Sequence, residues 1–399
     1  MFDTYRAAFR TPGTSAFCTA GFVMRLPSAI YPLALVLLVS AHTGKYAFAG
    51  VLSGVFVVAN GVGLVVLARV VDRFGQGRVL LPATGVHVAS AVILGVLAQS
   101  DAPLWTLTVP TATLGFTYLP VGSLVRARWS YVLGIRPELA TAYSLESALD
   151  EVIFTAGPLI ASLCATLVHP LLGVGLGVGL TLAGAVWLRE QRATEPPAHG
   201  ESHVSVSPLR SRGMVLLCLT MAAMGATFAS VEVTMVAFAG QHGHRNLSGL
   251  LLAAFAGGSA ISGFAYGARH WHAPLLDRFR LQAYVFGLMP ALFLLATNVP
   301  ILAVIALVVG LSIAPTLITA FGLVQAQVPT SALTEGLAWL VTGLSVGYGA
   351  GSSLVGGIAD AHGARWAFLV GVGAAVLVAG FGALTHQRIR EAHAPVPMT

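Results

Sequence analysis

Long uninterrupted runs of apolar residues, separated by short polar segments, recur along the whole chain. Most runs last about 18 residues or more, which is the length an α-helix needs to cross the hydrocarbon core of a bilayer. The apolar positions are continuous and do not alternate with a period of two, which favours helices over the strands of a membrane β-barrel. The pattern therefore predicts an all-α membrane protein.

Breaks at charged and turn residues divide the chain into twelve predicted membrane-spanning helices, which we number spans 1 to 12. Their approximate ranges are 14–40, 46–70, 78–99, 103–127, 142–167, 169–189, 213–239, 247–268, 279–297, 300–325, 333–357 and 365–386. The longest polar segment, residues 190–212, contains prolines and charges of both signs and predicts a linker. The predicted domains are thus a six-helix bundle at 1–189, a cytoplasmic linker at 190–212 and a second six-helix bundle at 213–399.

A faint internal repeat relates the two predicted bundles. The segments TAYSLE, ending at Glu146, and TSALTE, ending at Glu335, each open the fifth helix of a half and place Thr five residues before Glu. YAFAGVLSG at 46–54 and RNLSGLLLA at 245–253 similarly open the second helix of each half. Two pseudo-symmetric six-helix halves are a common construction of secondary transporters, whose substrate site lies near the membrane midplane between them.

Composition supports the membrane prediction and limits the partners. Hydrophobic residues make up 56% of the chain and charged residues only 9%, whereas soluble domains carry about 25% charged residues. The net charge of +6 does not indicate nucleic-acid binding, because the basic residues lie in the short gaps between apolar runs. The three cysteines lie within apolar runs, so we predict reduced, buried thiols.

The basic residues also predict an orientation. With the amino terminus in the cytoplasm, 17 of the 21 Lys and Arg residues fall on the cytoplasmic side, and only Lys45, Arg245 and Arg365 fall outside. The remaining one, Arg25, lies within span 1. Short cytoplasmic loops carry such an excess of positive charge in membrane proteins. We therefore predict a multi-pass protein of the cell membrane with both termini in the cytoplasm.

The loop between spans 2 and 3 reads ARVVDRFGQGRVLL, from Ala68 to Leu81. Its residues Asp72, Arg73, Gly75 and Arg78 match the signature loop of the major facilitator superfamily, which this chain resembles over its whole length. Ala68 replaces the first glycine of that signature. The resemblance implies the major facilitator fold, alternating access and a membrane transporter that uses no cofactor and works as a monomer.

The resemblance also implies a cytoplasmic gate. Asp72 is expected near the amino-terminal end of span 11, where the helix dipole favours a carboxylate, and Arg73 is expected to pair with an acid on a neighbouring helix. Such contacts form only when the two halves close on the cytoplasmic side. The Gly157-Pro158 pair in span 5 is similar to the glycine-proline motif of the drug and sugar efflux branch, and Pro158 is expected to permit a helix bend.

Three carboxylates precede that pair in an otherwise apolar run: Glu146, Asp150 and Glu151. Glu146 and Asp150 are four residues apart and share a helix face, while Glu151 is turned about 100° away. We predict Glu146 near the cytoplasmic interface, with its repeat partner Glu335, in a charge cluster that locks spans 2, 4, 5 and 11. Its basic members are Arg73, Arg78, Arg126 and Arg128.

Asp150 and Glu151 lie deeper, and Arg25 of span 1 is a cation within reach of them. One arginine cannot neutralise two acids, so either acid is a structural partner or a proton carrier, with Glu151 the favoured carrier. Glu232 is a separate candidate, because it is an isolated acid in span 7 with no basic residue in that span. It could pair with Arg25, bind a cationic substrate group or carry the coupling proton.

Other polar positions are weaker candidates. Those at depths suited to a cavity wall are Tyr31, Asn60, Phe116, Tyr118 and Trp339. The segments HGH at 242–244 and HWH at 270–272 lack the further ligands that a metal centre needs, so we predict no metal site.

The leading hypothesis is a proton-coupled transporter that exports a small molecule. No phosphate-binding loop of ATP-driven pumps is present in the sequence, so an ion gradient is the expected driving force. The alternative in the same class is a proton-coupled importer of a small metabolite. A polytopic membrane enzyme and a ligand sensor are further alternatives, against which stand the lack of a catalytic motif and of a soluble output domain.

Overall fold

The computed structural model describes residues 6–43, 46–100, 103–136, 138–198, 207–243, 247–269, 271–362 and 364–392. Every regular element in these ranges is helical, and each predicted span is occupied by one helix or by two. Nine segments of the described chain are long and apolar enough to cross a membrane, and they correspond to spans 1–3, 5–8, 10 and 12. The predicted all-α membrane fold is confirmed.

The first half contains spans 1 to 6. Its helices are Thr14–Arg25 and Pro27–Thr43 (span 1), Tyr46–Phe74 (span 2), Gln76–Ala98 (span 3), Thr108–Phe116 and Val121–Leu133 (span 4), Glu138–Leu167 (span 5) and Pro170–Glu190 (span 6). Short 3-10 turns occur at Leu104–Leu107 and Arg192–Thr194.

The second half contains spans 7 to 12. Its helices are Arg212–Gln241 (span 7), Ser248–Gly267 (span 8), Leu275–Leu288 with the 3-10 segment Met289–Leu295 (span 9), Val299–Gly310 and Ile313–Gln327 (span 10), Leu333–His362 (span 11) and Ala364–Ala392 (span 12). The 3-10 turns Pro208–Arg210 and Thr330–Ala332 precede spans 7 and 11.

Spans 1, 4 and 10 are each interrupted, whereas the sequence predicted continuous helices. In span 1 the interruption lies directly before Pro27, which has no backbone N–H to donate to the preceding turn. The hydroxyl of Tyr118 donates to the carbonyl oxygen of Met24 at 2.8 Å, in the last turn before this break. In span 4 the side-chain amide of Asn60 donates to the carbonyl of Gly115 at 3.1 Å, next to the interruption.

Spans 2 and 4 of the first half are in backbone contact, and so are the corresponding spans 8 and 10 of the second half. A Cβ atom on Gly63 would lie 2.1 Å from the carbonyl oxygen of Phe116, so spans 2 and 4 touch backbone to backbone. A Cβ atom on Gly258 would lie 2.1 Å from the carbonyl oxygen of Leu307, which joins spans 8 and 10. Small residues permit such approach between membrane helices. These two contacts lie 195 residues apart in the chain and express the internal repeat in three dimensions.

The buried apolar core extends through both halves. One cluster runs from Phe17 and Trp129 in the first half to Phe286 and Phe368 in the second. A second, smaller cluster surrounds Tyr31 in spans 1 to 6. The halves also meet directly, through span 2 against span 11 and span 5 against span 8.

Part of the predicted linker lies against the first half. The backbone N–H of Gly77, at the start of span 3, donates to the Glu195 carboxylate at 2.7 Å. The Arg128 guanidinium donates to the Gln191 carbonyl at 2.8 Å and to the Thr194 hydroxyl at 2.9 Å. Residues 191–198 therefore form a strap on the first half, which we call the linker strap. Residues 199–206 lie outside the described ranges.

Candidate functional site

A buried ion-pair cluster lies within the first half, where span 1 is interrupted. Arg25 donates to Glu146 and, at 2.8 Å, to Asp150. Arg126 of span 4 donates to the other oxygen of Asp150 at 2.8 Å. The four-residue spacing of the two acids on span 5 directs both carboxylates to Arg25. We call these four residues, two cations and two anions, the balanced cluster.

Glu146 lies at the centre of this cluster, with a cation of span 1 as its ion-pair partner in place of the basic residues that the sequence analysis expected. Its side chain is fully buried. Besides Arg25, it accepts a hydrogen bond from the Trp129 indole N–H at 2.7 Å and one from the Cys18 thiol at 3.4 Å. Span 5 begins at Glu138, four residues before its predicted start, so all three acids of this span lie one helical turn farther from the start of the helix than predicted.

Glu151 is not part of the balanced cluster. Of the two deeper acids that the sequence analysis offered as partners of Arg25, the structure pairs Asp150 with it. Glu151 faces away from Arg25, next to Ser259 of span 8 and within electrostatic range of Asp150 and Glu232. It lies thirteen residues from the start of its helix, about 20 Å of helical rise.

Glu232 has a partner that the sequence analysis missed. The Tyr348 hydroxyl of span 11 donates to the Glu232 carboxylate at 2.6 Å. The expected alternative of an Arg25 partner is wrong, because Arg25 is bound by Glu146 and Asp150. The available signal was that Tyr348 is the single tyrosine of span 11 and stands between two glycines. Of the ion pairs between described residues, none includes Glu151 or Glu232.

The signature loop meets span 11 at one end of the molecule, which we call the motif end. The Asp72 carboxylate accepts a hydrogen bond from the backbone N–H of Glu335 at 2.9 Å, in the first turn of span 11. Arg69 donates twice to the Glu335 carboxylate, at 2.6 and 3.1 Å. The Trp339 indole N–H donates to the same carboxylate at 3.3 Å.

Arg69 is thus the residue of the first half that pairs with Glu335. The sequence analysis gave no role to Arg69, which lies one helical turn before Arg73. The pairing of Arg73 with an acid on a neighbouring helix stays a prediction. The Arg73 guanidinium is exposed and lies 5.1 Å from the centre of the Phe74 ring. Arg78 is exposed as well.

Two further contacts join the halves at the motif end. The Arg126 guanidinium lies over the Phe321 ring of span 10, 4.2 Å from its centre, while it also binds Asp150. The Thr141 hydroxyl, near the start of span 5, donates to the carbonyl of Gly267 at the end of span 8, at 2.6 Å. Arg126 therefore links the balanced cluster to the second half.

Arg128 and Gly75 hold the first half together at this end. Arg128 is fully buried and donates to the Gln76 side chain at 2.7 Å and to the carbonyl of Leu188, in the last turn of span 6, at 3.0 Å. It therefore caps span 6 and anchors the linker strap, and it does not join the acid cluster that the sequence predicted. Gly75 has a φ of +89°, which favours glycine at this turn into span 3.

The five predicted cavity-wall residues have mixed environments. Tyr31 and Tyr118 are buried: the Tyr31 hydroxyl lies 2.7 Å from His87 Nε2, and the Tyr118 hydroxyl donates to the Met24 carbonyl at the end of the first helix of span 1. Their place on a cavity wall stays a prediction. Asn60, Phe116 and Trp339 are half-buried, and Asn60 and Trp339 make the hydrogen bonds given above.

His87 has a defined role in packing. Its Nδ1 lies 3.0 Å from the Leu114 carbonyl, which can only accept, so Nδ1 carries the proton and Nε2 accepts from the Tyr31 hydroxyl.

Span 5 remains one continuous helix through Pro158. Gly157 is buried against span 1, since a Cβ atom at this position would lie 2.4 Å from the Cβ of Ala29. The structure therefore gives Gly157 a packing role, and the helix bend at Gly157-Pro158 stays a prediction.

Within the described ranges, no three His, Cys, Asp or Glu side chains come close enough to hold a metal ion. The two histidine segments are only partly covered, because His244 and His270 lie outside those ranges, as do Lys45 and Arg245.

Known structures share this fold at low sequence identity. The human organic anion transporter MFSD10 (TETRAN) is 15% identical with a TM-score of 0.70, and the match covers 95% of this chain and 99% of that one. A bacterial homologue of the iron transporter ferroportin in the outward-facing state is 14% identical with a TM-score of 0.71, covering 94% and 99%. The Escherichia coli fucose:proton symporter FucP is 11% identical with a TM-score of 0.70, covering 93% and 98%.

No curated protein matches the sequence. The family model for the Major Facilitator Superfamily matches residues 17–280, which is most of the chain. With the signature loop against span 11 and this family match, the chain belongs to the Major Facilitator Superfamily.

Proposed function

We propose that this membrane transporter exports a small molecule from the cytoplasm in exchange for protons, by alternating access. The motif end would face the cytoplasm, because the excess of basic residues lies at that end. Residues 1–189 and 213–399 would move as two bodies around a site between them.

The proposal rests on a difference among the acids of the described core: two are bound in ion pairs, and two others are not. Glu146 and Asp150 are bound by Arg25 and Arg126 in the balanced cluster, whereas Glu151 and Glu232 have no ion pair among the described residues. A carboxylate inside a membrane protein without a cationic partner is costly in its charged form and marks a proton or substrate pathway. Glu151 belongs to the first half and Glu232 to the second, so movement of the halves would change the surroundings of both.

The contacts at the motif end support alternating access. Asp72, Arg69 and Arg126 of the first half each bind a group of the second half. These contacts would have to separate for a substrate to enter from the cytoplasm. They are polar and few, and polar contacts between halves can form and break during a cycle.

Import by proton symport is the second candidate. It would use the same acids, and a fucose:proton symporter shares the fold. The structures that share the fold are named for an organic anion, iron and fucose, so the fold alone selects neither direction nor substrate.

Growth inhibition of a pump-deficient host tests the proposal. Cells would express the wild type, Glu232→Gln or the control Glu190→Gln, which removes one carboxylate at the exposed end of span 6. We expect the wild type and the control to raise resistance to part of a panel of cationic, neutral and anionic lipophilic compounds. Glu232→Gln and a protonophore should both abolish that resistance.

Two results would contradict export. Heightened sensitivity of cells that express the wild type would favour the import alternative. Full resistance of cells that express Glu232→Gln would show that export does not require this carboxylate.

A further inference from the structure

We infer that the loop between spans 8 and 9 binds the phosphate group of an anionic membrane lipid through Arg269 and Arg278. The site combines these two arginines with a stacked pair of aromatic residues, Tyr266 and Trp271. Trp271 is the middle residue of the HWH segment at 270–272. The inference concerns the membrane surface of the protein and does not depend on the proposed direction of transport.

The aromatic pair forms a fixed platform at the end of span 8. The ring centres of Tyr266 and Trp271 are 4.5 Å apart, and their planes are inclined by 28°. The Trp271 indole N–H donates to the Tyr266 carbonyl at 3.0 Å, which holds the loop against the end of the helix. Tyr266 is buried and Trp271 is half-buried. Tyrosine and tryptophan are enriched where membrane helices reach the level of the lipid headgroups.

Both arginines of the loop lie against this platform. The guanidinium carbon of Arg269 is 4.8 Å from the centre of the Trp271 ring, and that of Arg278 is 5.7 Å from the same centre. Arg278 also lies 5.9 Å from the centre of the Tyr266 ring and donates from Nη1 to the Tyr266 hydroxyl at 3.0 Å. Contact with an aromatic face holds a guanidinium in place and leaves its N–H groups available for hydrogen bonds.

These two positive charges have no acidic partner among the described residues. None of the ion pairs there includes Arg269 or Arg278. The Arg278 Nε is buried and makes no hydrogen bond with a described residue. Two guanidinium groups against one ring repel each other, and an anion bound to both would convert that repulsion into attraction.

The acids of the surrounding helices do not supply this anion. Asp277 is the only acid between residues 233 and 334. Its Oδ1 lies 2.9 Å from His386 Nε2 of span 12 and 3.7 Å from the Arg280 guanidinium. Glu138, at the start of span 5, forms no ion pair with a described residue. The neutralising group is therefore expected from outside the chain.

The position of the site favours a lipid phosphate. The loop joins the predicted ends of spans 8 and 9, so it lies where the two helices leave the membrane. The neighbouring Gly267 carbonyl accepts from Thr141, which places the loop at the motif end, the predicted cytoplasmic side. Arginine binds phosphate oxygens through two parallel hydrogen bonds, and basic sites on this side of a membrane attract anionic lipids. A zwitterionic lipid has the same phosphate but adds a cationic group that two arginines would repel.

Native mass spectrometry of the purified full chain in a maltoside detergent tests the inference. The chain would be titrated with dioleoylphosphatidylglycerol, dioleoylphosphatidylcholine or glycerol 3-phosphate. We expect phosphatidylglycerol to bind at least about tenfold more tightly than phosphatidylcholine, as charge-assisted hydrogen bonds require. Glycerol 3-phosphate carries the phosphate without acyl chains, and we expect it to bind more weakly than phosphatidylglycerol by a similar factor or more.

Three variants locate the binding. Arg269→Gln and Arg278→Gln should each weaken the binding of phosphatidylglycerol about tenfold or more. Arg269 is exposed, so its replacement should leave the fold intact. Arg280→Gln is the matched control, because it removes one positive charge two residues further along span 9 and leaves the aromatic platform with both of its arginines. It should bind as the wild type does.

Thermal unfolding in the same detergent provides a second readout. Phosphatidylglycerol should raise the unfolding temperature of the wild type and of Arg280→Gln more than that of Arg269→Gln and Arg278→Gln. Equal binding of the two lipids, or wild-type binding by both platform variants, would overturn the inference. Equal weakening by Arg280→Gln would also overturn it, because general attraction to a positive surface would then suffice. Glycerol 3-phosphate binding as tightly as phosphatidylglycerol would overturn the assignment to a lipid in favour of a soluble phosphate.

Discussion

Glu146 and Glu335, which the internal repeat relates to one another, are both fully buried. Each carboxylate binds one arginine and one tryptophan indole N–H: Glu146 binds Arg25 and Trp129, and Glu335 binds Arg69 and Trp339. The difference lies in the arginine. Arg25 is buried within the first half, whereas about half of the Arg69 side chain is exposed, at 52%, and Arg69 reaches the other half. One pair therefore contributes to stability and the other to closure.

This difference predicts unequal effects of the same substitution. Glu146→Gln leaves buried Arg25 undercompensated and should lower the free energy of unfolding by about 3–5 kcal/mol. Glu335→Gln should cost only about 1 kcal/mol or less, because water can solvate the exposed Arg69. Thermal unfolding in detergent measures both, and similar shifts for the two variants would contradict this assignment.

Among the helices, spans 2 and 4 and spans 8 and 10 can approach this closely because glycine, which has no side chain, stands at each contact. Gly63 and Gly258 each lie against a carbonyl oxygen, whereas a Cβ atom on Gly61 or Gly257 would meet no atom within 4 Å. The neighbouring glycines of the same helices therefore provide matched controls.

Gly63→Ala and Gly258→Ala should destabilise the protein, because backbone atoms would have to move apart. Gly61→Ala and Gly257→Ala should leave stability unchanged or raise it by up to about 1 kcal/mol, as expected for alanine in a helix. Thermal unfolding of the four variants provides the comparison. Equal behaviour within each pair would argue against backbone contact at these positions.

The amino-acid composition of the linker strap is typical of a flexible linker, but the structure places the strap against the first half. In the structure Glu195 accepts a hydrogen bond at the start of span 3, and Pro196 and Pro197 border a cavity of about 280 Å³. The opposite walls of that cavity include Asp72 and Thr334, which belong to different halves. The strap thus lies against the closed motif end.

Glu195→Gln is expected to loosen the strap, because a neutral amide interacts less favourably with the amino-terminal end of a helix, a difference of about 0.3–1 kcal/mol. The motif end should then open more often, which labelling of a cysteine introduced at Thr334 would detect as a faster reaction. Glu190→Gln in the same cysteine background is the control, and an unchanged labelling rate would count against the strap.

At the scale of the whole molecule, the two halves are joined at the motif end by Asp72, Arg69, Arg126 and Thr141. Asp72 binds the first turn of span 11, where the helix dipole favours a carboxylate. A transport cycle has to form and break this set of contacts in every turnover.

Asp72→Asn and Arg69→Gln should therefore each slow turnover severalfold while the fold is retained. Uptake into proteoliposomes would measure the rate, with the exposed Arg136→Gln as the control for loss of one positive charge. A rate equal to that of the wild type in both variants would rule out these contacts as part of the cycle.

The all-α membrane fold and the family could be predicted from the sequence alone, whereas the division into two halves stays a prediction. Helix length, apolar continuity and the signature loop are local properties, and each is readable from consecutive residues. Even the i,i+4 relation of Glu146 and Asp150 followed from helix geometry, because one helix carries both.

The partners of these residues follow only from the packing of the helices. Arg25 lies between Glu146 and Asp150, Arg69 pairs with Glu335, and Tyr348 donates to Glu232, all between helices that are distant in sequence. Tyr118 and Asn60 likewise donate to backbone carbonyls of other helices, at the interruptions of spans 1 and 4. Contacts between helices depend on their rotation and depth, and neither is encoded in the hydrophobic pattern of a single span.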